Sequence, residues 1–187
     1  MADGTRPRLL VLLVVLLAGC SASTPPSPGT SASPGPPAHA TVTQGAFLLT
    51  FELPRTTYRA GETIEGLATL GAVGGAPVAF GSSGGGPFVF NIAEVGGSRH
   101  VEGVMTADCA AYRLEPGQPM TSPIIKSGAT YDEDPEAPFV GAYLSSPTVS
   151  LPAGDWRITA EASLVEGAAC TGASRRLDAP IVIHVTP

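Results

Sequence analysis

The stretch DWRITAEASLV, residues 155–165, decides the fold. Trp156, Ile158, Ala160, Ala162 and Leu164 occupy every second position, and Arg157, Thr159 and Glu161 lie between them. Successive side chains of an extended strand point to opposite faces, so this alternation marks a strand with one buried and one solvated face. The same period of two recurs outward in both directions. Ile181, Ile183 and Val185 carry it near the C-terminus, and Phe88, Phe90 and Ile92 carry it towards the N-terminus. Ile64, Ala68 and Leu70 form another such run, as do Phe47, Leu49, Phe51 and Leu53. Gly- and Pro-rich turn signals separate the runs, among them Gly74-Gly75, Gly84 to Gly86, Gly96-Gly97, Glu115-Pro116-Gly117 and Pro152-Ala153-Gly154. No segment of the domain shows a 3.6-residue apolar stripe over three turns. Many short strands broken by turns predict an all-β domain in which two sheets bury their apolar faces on each other. The single tryptophan, Trp156, is expected in that core, beside a disulfide.

The N-terminus is of another kind. Arg6 and Arg8 precede an unbroken Leu/Val run from Leu9 to Leu17, followed by Ala18, Gly19 and Cys20. A membrane-spanning helix needs about 20 apolar residues. Residues 9–19 are too few, but they suit the apolar region of an export signal behind a basic head. Leu17-Ala18-Gly19-Cys20 resembles the lipobox of bacterial lipoproteins. That resemblance implies a signal peptide over residues 1–19, cleavage between Gly19 and Cys20, and a diacylglycerol on the Cys20 thiol. Two acyl chains anchor a protein stably where one is marginal. The expected location is the extracytoplasmic face of a cell membrane, with the membrane as a partner through lipid. Residues 20–41 are nearly all Ser, Ala, Thr, Pro and Gly. They cannot bury enough apolar area to offset chain ordering, so they read as a disordered tether ahead of a domain over 42–187.

The chain has three cysteines. With Cys20 lipidated, Cys109 and Cys170 remain in a compartment where disulfides persist. A bond between them is expected; the alternative is two separate buried thiols. Two cysteines without neighbouring ligands do not fill a zinc shell, and no cofactor is expected beyond the lipid. The formal charge is −6. Lys126 is the only lysine against nine arginines. An acidic surface argues against nucleic-acid binding, which needs clustered Lys and Arg.

Five segments carry a further resemblance, in chain order. They are Tyr58-Arg59-Ala60-Gly61-Glu62-Thr63-Ile64, Ala76 to Ser83, Phe88-Val89-Phe90-Asn91-Ile92, Leu114-Glu115-Pro116-Gly117 and Leu151 to Ile158. Together they are similar to the BsuPI-like proteinase-inhibitor domain. This resemblance implies an immunoglobulin-like antiparallel β-sandwich, with protease inhibition as one role. It departs from the family in its export signal, its cysteine pair and its lack of a Trp-rich stretch after Phe90. No inhibitory residue carries over.

Several residues invite a chemical reading. Gly81-Ser82-Ser83-Gly84-Gly85 matches G-x-S-x-G, and Asp155 and His184 follow in hydrolase order. A nucleophile elbow needs a helix after the serine, whereas the next segment reads as a strand. A small hydrolase is therefore the weakest alternative, and no catalytic residue is expected. Asp132-Glu133-Asp134-Pro135-Glu136 concentrates carboxylates but lacks the spacing of a calcium loop, so it reads as a solvated loop kept extended by Pro135. His39, His100 and His184 are not at metal-ligand spacing. Arg175-Arg176 is too small for a polyanion site. The expected function is non-catalytic: a binding or structural domain with an extracytoplasmic protein partner.

Overall fold

The computed structural model describes residues 35–129 and 135–187. In chain order the strands are β1 (Ala38–Gln44), β2 (Phe47–Leu53), β3 (Thr57–Arg59), β4 (Leu67–Ala72), β5 (Val78–Ser82) and β6 (Phe88–Glu94). There follow β7 (His100–Val101), β8 (Ala110–Leu114), β9 (Met120–Pro123), the helix α1 (Ala137–Ser145), β10 (Gly154–Glu166) and β11 (Ser174–Thr186). These strands build two sheets, so the chain is an all-β sandwich. The smaller sheet runs β1-β2-β4-β9. The larger has seven strands, with β10 paired along one edge to β11 and along the other to β6 and then β5. All pairings are antiparallel except β3 with β11.

The alternation in residues 155–165 does what it predicts. Trp156, Ile158, Ala160, Ala162 and Leu164 are all at most 1 % exposed. Facing them from the smaller sheet are Phe47, Leu49, Phe51 and Leu53 of β2 with Ala68 and Leu70 of β4. Phe51 meets Phe90 with ring centroids 5.9 Å apart, and Phe47 meets Phe80 edge-on at 5.7 Å. Such aromatic pairs join the two sheets with specific geometry in addition to buried area. β5 and β6 both pair with β10 and act as one long strand interrupted at residues 83–87. Across the interruption, Ser163 N–H donates to the Pro87 carbonyl and Ser82 Oγ donates to the Ser163 carbonyl at 2.8 Å.

Three expectations are corrected. First, β1 begins at Ala38, within the stretch that composition assigned to the tether. Ala38, Ala40 and Val42 alternate against the core, and the tight Gly45-Ala46 turn, with Gly45 at φ 60°, returns the chain into β2. Small alanines among prolines look like linker until their partner strand is known. His39 thus lies on β1, opposite Glu52. Second, Ile64 precedes β4 rather than belonging to it. It is buried in a connection, where its N–H donates to the Val149 carbonyl.

Third, Trp156 is buried but is not beside the cysteines. Its indole stacks on Phe139 of α1 at 5.4 Å and donates to the Pro152 carbonyl at 2.9 Å. Arg99 lies over the indole face at 4.9 Å and is bonded to Glu94. The cysteine pair sits near the opposite end of β10, nine residues or about 30 Å further along the strand. The Arg99 guanidinium holds the Glu94 carboxyl below its usual range. A depressed folded pKa adds stability that is full above the ordinary carboxylate range and is lost as pH falls through the folded value. The urea midpoint is therefore expected to decline below about pH 4, and Glu94→Gln to flatten that decline; an unchanged acid limb in Glu94→Gln would assign it elsewhere.

Helix α1 was not expected. It carries Pro138 and Gly141, two poor helix formers, and buries only Val140 and Tyr143. Its anchor is the sole lysine. Lys126 Nζ donates to the carbonyls of Tyr143 at 2.8 Å, Leu144 at 3.2 Å and Ser146 at the helix C-terminus. Of these carbonyls only that of Tyr143 also accepts a backbone N–H among the described residues, from Ser146 at 3.3 Å, and a cation at this end is attracted by the negative pole of the helix dipole. Lys126→Met is expected to lower stability by about 1–2 kcal/mol. Early hydrogen exchange confined to residues 137–146 would confirm the local cause; a uniform loss of protection would refute it.

Candidate functional site

The outer faces of the two sheets differ in chemistry. On the smaller sheet, Thr41, Thr50, Thr69 and Thr121 stand in register across all four strands. Threonine suits an exposed pleated surface, and this row needs no ligand to explain it. The larger sheet presents the polar positions of DWRITAEASLV. Register places Arg157 between Val182 and Ala93, Thr159 between Pro180 and Asn91, and Glu161 beside Asp178. Residues 100–103 rise along one side and turn this face into a groove of 780 Å3.

Glu161 forms the floor and is only 9 % exposed. Its Oε2 accepts from Asn91 Nδ2 at 2.9 Å and lies 2.8 Å from the Arg176 guanidinium. Asn91 is itself fixed, because the Gly103 N–H donates to its Oδ1 at 2.8 Å. Gly103 lies so close to β6 that an added Cβ would stand 3.0 Å from the Phe90 carbonyl and the Val89 side chain. Arg176 also donates to Asp178 at 3.0 Å, and the carboxylates of Glu161, Asp178 and Glu102 hold it firmly protonated beside that hydrogen bond. A buried charge is tolerated only when paired and hydrogen-bonded, and Glu161 meets both conditions. Arg157, two positions beyond Thr159, is exposed and makes no ion pair among the described residues.

Cys109 and Cys170 lie at disulfide-bonding distance, with Cα atoms 6.3 Å apart. Cys109 precedes β8, Cys170 follows β10, and β5 runs between those two strands. The link passes over β5 at Gly81, where an added Cβ would stand 3.2 Å from the Cys170 Cα and collide with its Sγ. Cys170 is the only non-glycine with positive φ among the described residues, at 51°. Gly81→Ala is expected to cost about 1–3 kcal/mol through overpacking; free-thiol titration on the folded variant would show whether the cysteines still meet. A variant as stable as the parent would contradict the tight crossing.

The hydrolase constellation does not assemble. Asp155 and His184 are paired across β10 and β11, with Nδ1 and Oδ1 2.6 Å apart, but both side chains are more than half exposed. Ser83 follows Ser82, whose hydroxyl donates to the Ser163 carbonyl, eight residues or about 26 Å along β10 from Asp155. The Ser83 hydroxyl is engaged by Thr106 Oγ1 at 2.6 Å and by the Gly85 N–H at 3.2 Å. Arg175 pairs with Glu166 and Arg176 with Glu161 and Asp178, so the two arginines serve separate carboxylates. Glu136 accepts from Ser98 Oγ at 2.8 Å. His100 borders the groove, with Nδ1 2.9 Å from the Ser98 carbonyl. Gly19, Cys20 and Asp132 to Asp134 lie outside the described residues.

Asn91 and Gly103 are not singled out as site residues by sequence; Glu161 stands there only as a polar position of the alternation, and Arg176 only in an arginine pair set aside as too small for a polyanion site. The available signal was the polar half of the alternation in β10, which names Arg157, Thr159 and Glu161 but not their cross-strand neighbours. Among the described residues, no three His, Cys, Asp or Glu side chains converge to hold a metal ion. No described helix is long and apolar enough to cross a membrane. No protein-family model matches the chain, and no curated protein matches it.

Proposed function

We propose that this protein is a lipid-anchored extracytoplasmic lipoprotein whose β-sandwich is a non-catalytic binding module. The observation that carries the reading is the meeting of Cys109 and Cys170 at the domain surface. A surface pair at bonding distance suits an oxidising compartment. It also leaves Cys20 as the one cysteine without a partner, at the end of the lipobox-like run. The fixed polar groove on the larger sheet supports binding as the role, because its side chains are held in place before a ligand arrives.

The test is metabolic labelling with palmitate followed by membrane fractionation. The parent protein is expected to take up label and pellet with membranes; Cys20→Ala is expected to lose both. A Cys20→Ala protein that stays membrane-bound, or a parent without label, would overturn the anchor.

Protease inhibition of the BsuPI-like type is a second reading, favoured by the braced loop between β5 and β6. The Gly84 N–H donates to Asp108 at 3.1 Å and the Tyr112 hydroxyl donates to the Ser83 carbonyl at 2.7 Å. A loop fixed in advance loses less entropy on entering a protease cleft. Inhibition by the parent but not by Asp108→Ala, across a panel of serine, cysteine and metalloproteases, would support it; no inhibition of any of them would remove it.

A further inference from the structure

We infer that the groove on the larger sheet binds an extended peptide bearing a basic side chain at one end and a carboxylate about four residues away. This rests on the binding-module reading and gives that module its ligand. At one end of the groove the carboxylates of Glu161 and Asp178 pair with a single cation, Arg176, and Glu102 lines the same groove. Glu161 uses only Oε2 for Asn91 and Arg176, and its Oε1 accepts from no described residue. That oxygen belongs to a carboxylate fixed on both sides, so no ordering is left for a ligand to impose on it. Arg176 stands between the carboxylates, which disfavours a bare metal ion and leaves hydrogen-bonding geometry for a second guanidinium or ammonium group.

The other end has the opposite character. Arg157 is four residues from Glu161 on the same face of β10, about 13 Å away, and has no ion-pair partner among the described residues. An extended ligand spans the same distance with the same number of residues. Between the two ends the floor is low, formed by Thr159 and Pro180. A peptide backbone can lie over these small side chains with a hydroxyl in reach. Opposite charges at fixed separation give such a groove a preferred direction and suppress ligands with the charges exchanged.

The test is fluorescence anisotropy with the full-length protein in detergent micelles and fluorescein-labelled peptides. The probe is Arg-Ala-Ala-Ala-Glu, with Gln-Ala-Ala-Ala-Gln as the uncharged control and Arg-Ala-Ala-Ala-Arg as the charge variant. The first peptide is expected to bind, the uncharged one at least about tenfold more weakly, and added salt to weaken binding further. Glu161→Gln preserves the shape of the floor and is expected to weaken the first peptide by about tenfold or more. Arg157→Glu is expected to reverse the preference so that Arg-Ala-Ala-Ala-Arg binds better, an outcome that a misfolded protein cannot produce. Equal binding of charged and uncharged peptides, no anisotropy change at millimolar protein, or an unchanged preference in Arg157→Glu would overturn the inference. If a cell-surface pull-down recovers a stoichiometric partner equally with the parent and with Arg157→Glu, the groove assignment fails while the binding-module reading stands.

Discussion

Trp156→Ala is expected to lower the unfolding free energy by about 3–5 kcal/mol. Trp156 is wholly buried at one end of β10, and its loss opens a cavity that β-sheet neighbours cannot fill by small shifts. More than packing is lost. Arg99 lies 4.9 Å and Phe139 5.4 Å from the indole ring, so the β6–β7 turn and helix α1 both rest on this side chain. Truncation also removes the N–H that satisfies the Pro152 carbonyl. Chemical denaturation gives the magnitude, and hydrogen exchange gives the location. Protection is expected to fall first in α1 and around residues 94–100. A loss below about 1 kcal/mol would mean that the site collapses readily and that the tryptophan is not the anchor of this end.

The second large effect lies at the other end of the same strand. Replacing Cys109 and Cys170 together by serine is expected to lower stability by about 4 kcal/mol in the chain-entropy model. The bond closes a loop with a sequence separation of 61 residues, and its absence releases that restraint mainly from the unfolded chain. For a domain of this size the melting temperature is expected to fall by about 10 °C. The double variant, rather than a single one, avoids leaving a reactive thiol. A matched loss on adding reductant to the parent identifies the bond as the cause. If oxidised and reduced parent melt together, the cysteines contribute packing alone.

How far the sequence reveals this molecule depends on whether a signal is local. The buried face of β10 is written in consecutive residues, and the two-sheet core follows from repeating that pattern in β2, β6 and β11. β1 is harder to read, because Ala38 and Ala40 are ordinary tether residues until β2 gives them a partner. Helix α1 leaves no amphipathic trace, since Pro138 and Gly141 weaken its propensity and its support is a lysine ten residues upstream of Glu136. The groove is the least legible part. Arg157 and Glu161 are visible as the polar half of an alternation, but Asn91 and Arg176 reach Glu161 only through cross-strand register. The Ser-Asp-His order shows the reverse problem: the three residues occur in a suggestive sequence, but Ser83 follows β5, which pairs with the far end of β10, whereas Asp155 and His184 pair at its start.

The lysine under α1 has a practical consequence for anyone who labels or immobilises the protein. Amine-directed reagents find a single ε-amino group in the chain, and that group is bonded to three backbone carbonyls. Coupling there removes the charge or replaces its hydrogens, so the labelled fraction is the fraction whose helix end has been released. Biosensor chips or cross-linkers that couple through this lysine would therefore sample a distorted molecule.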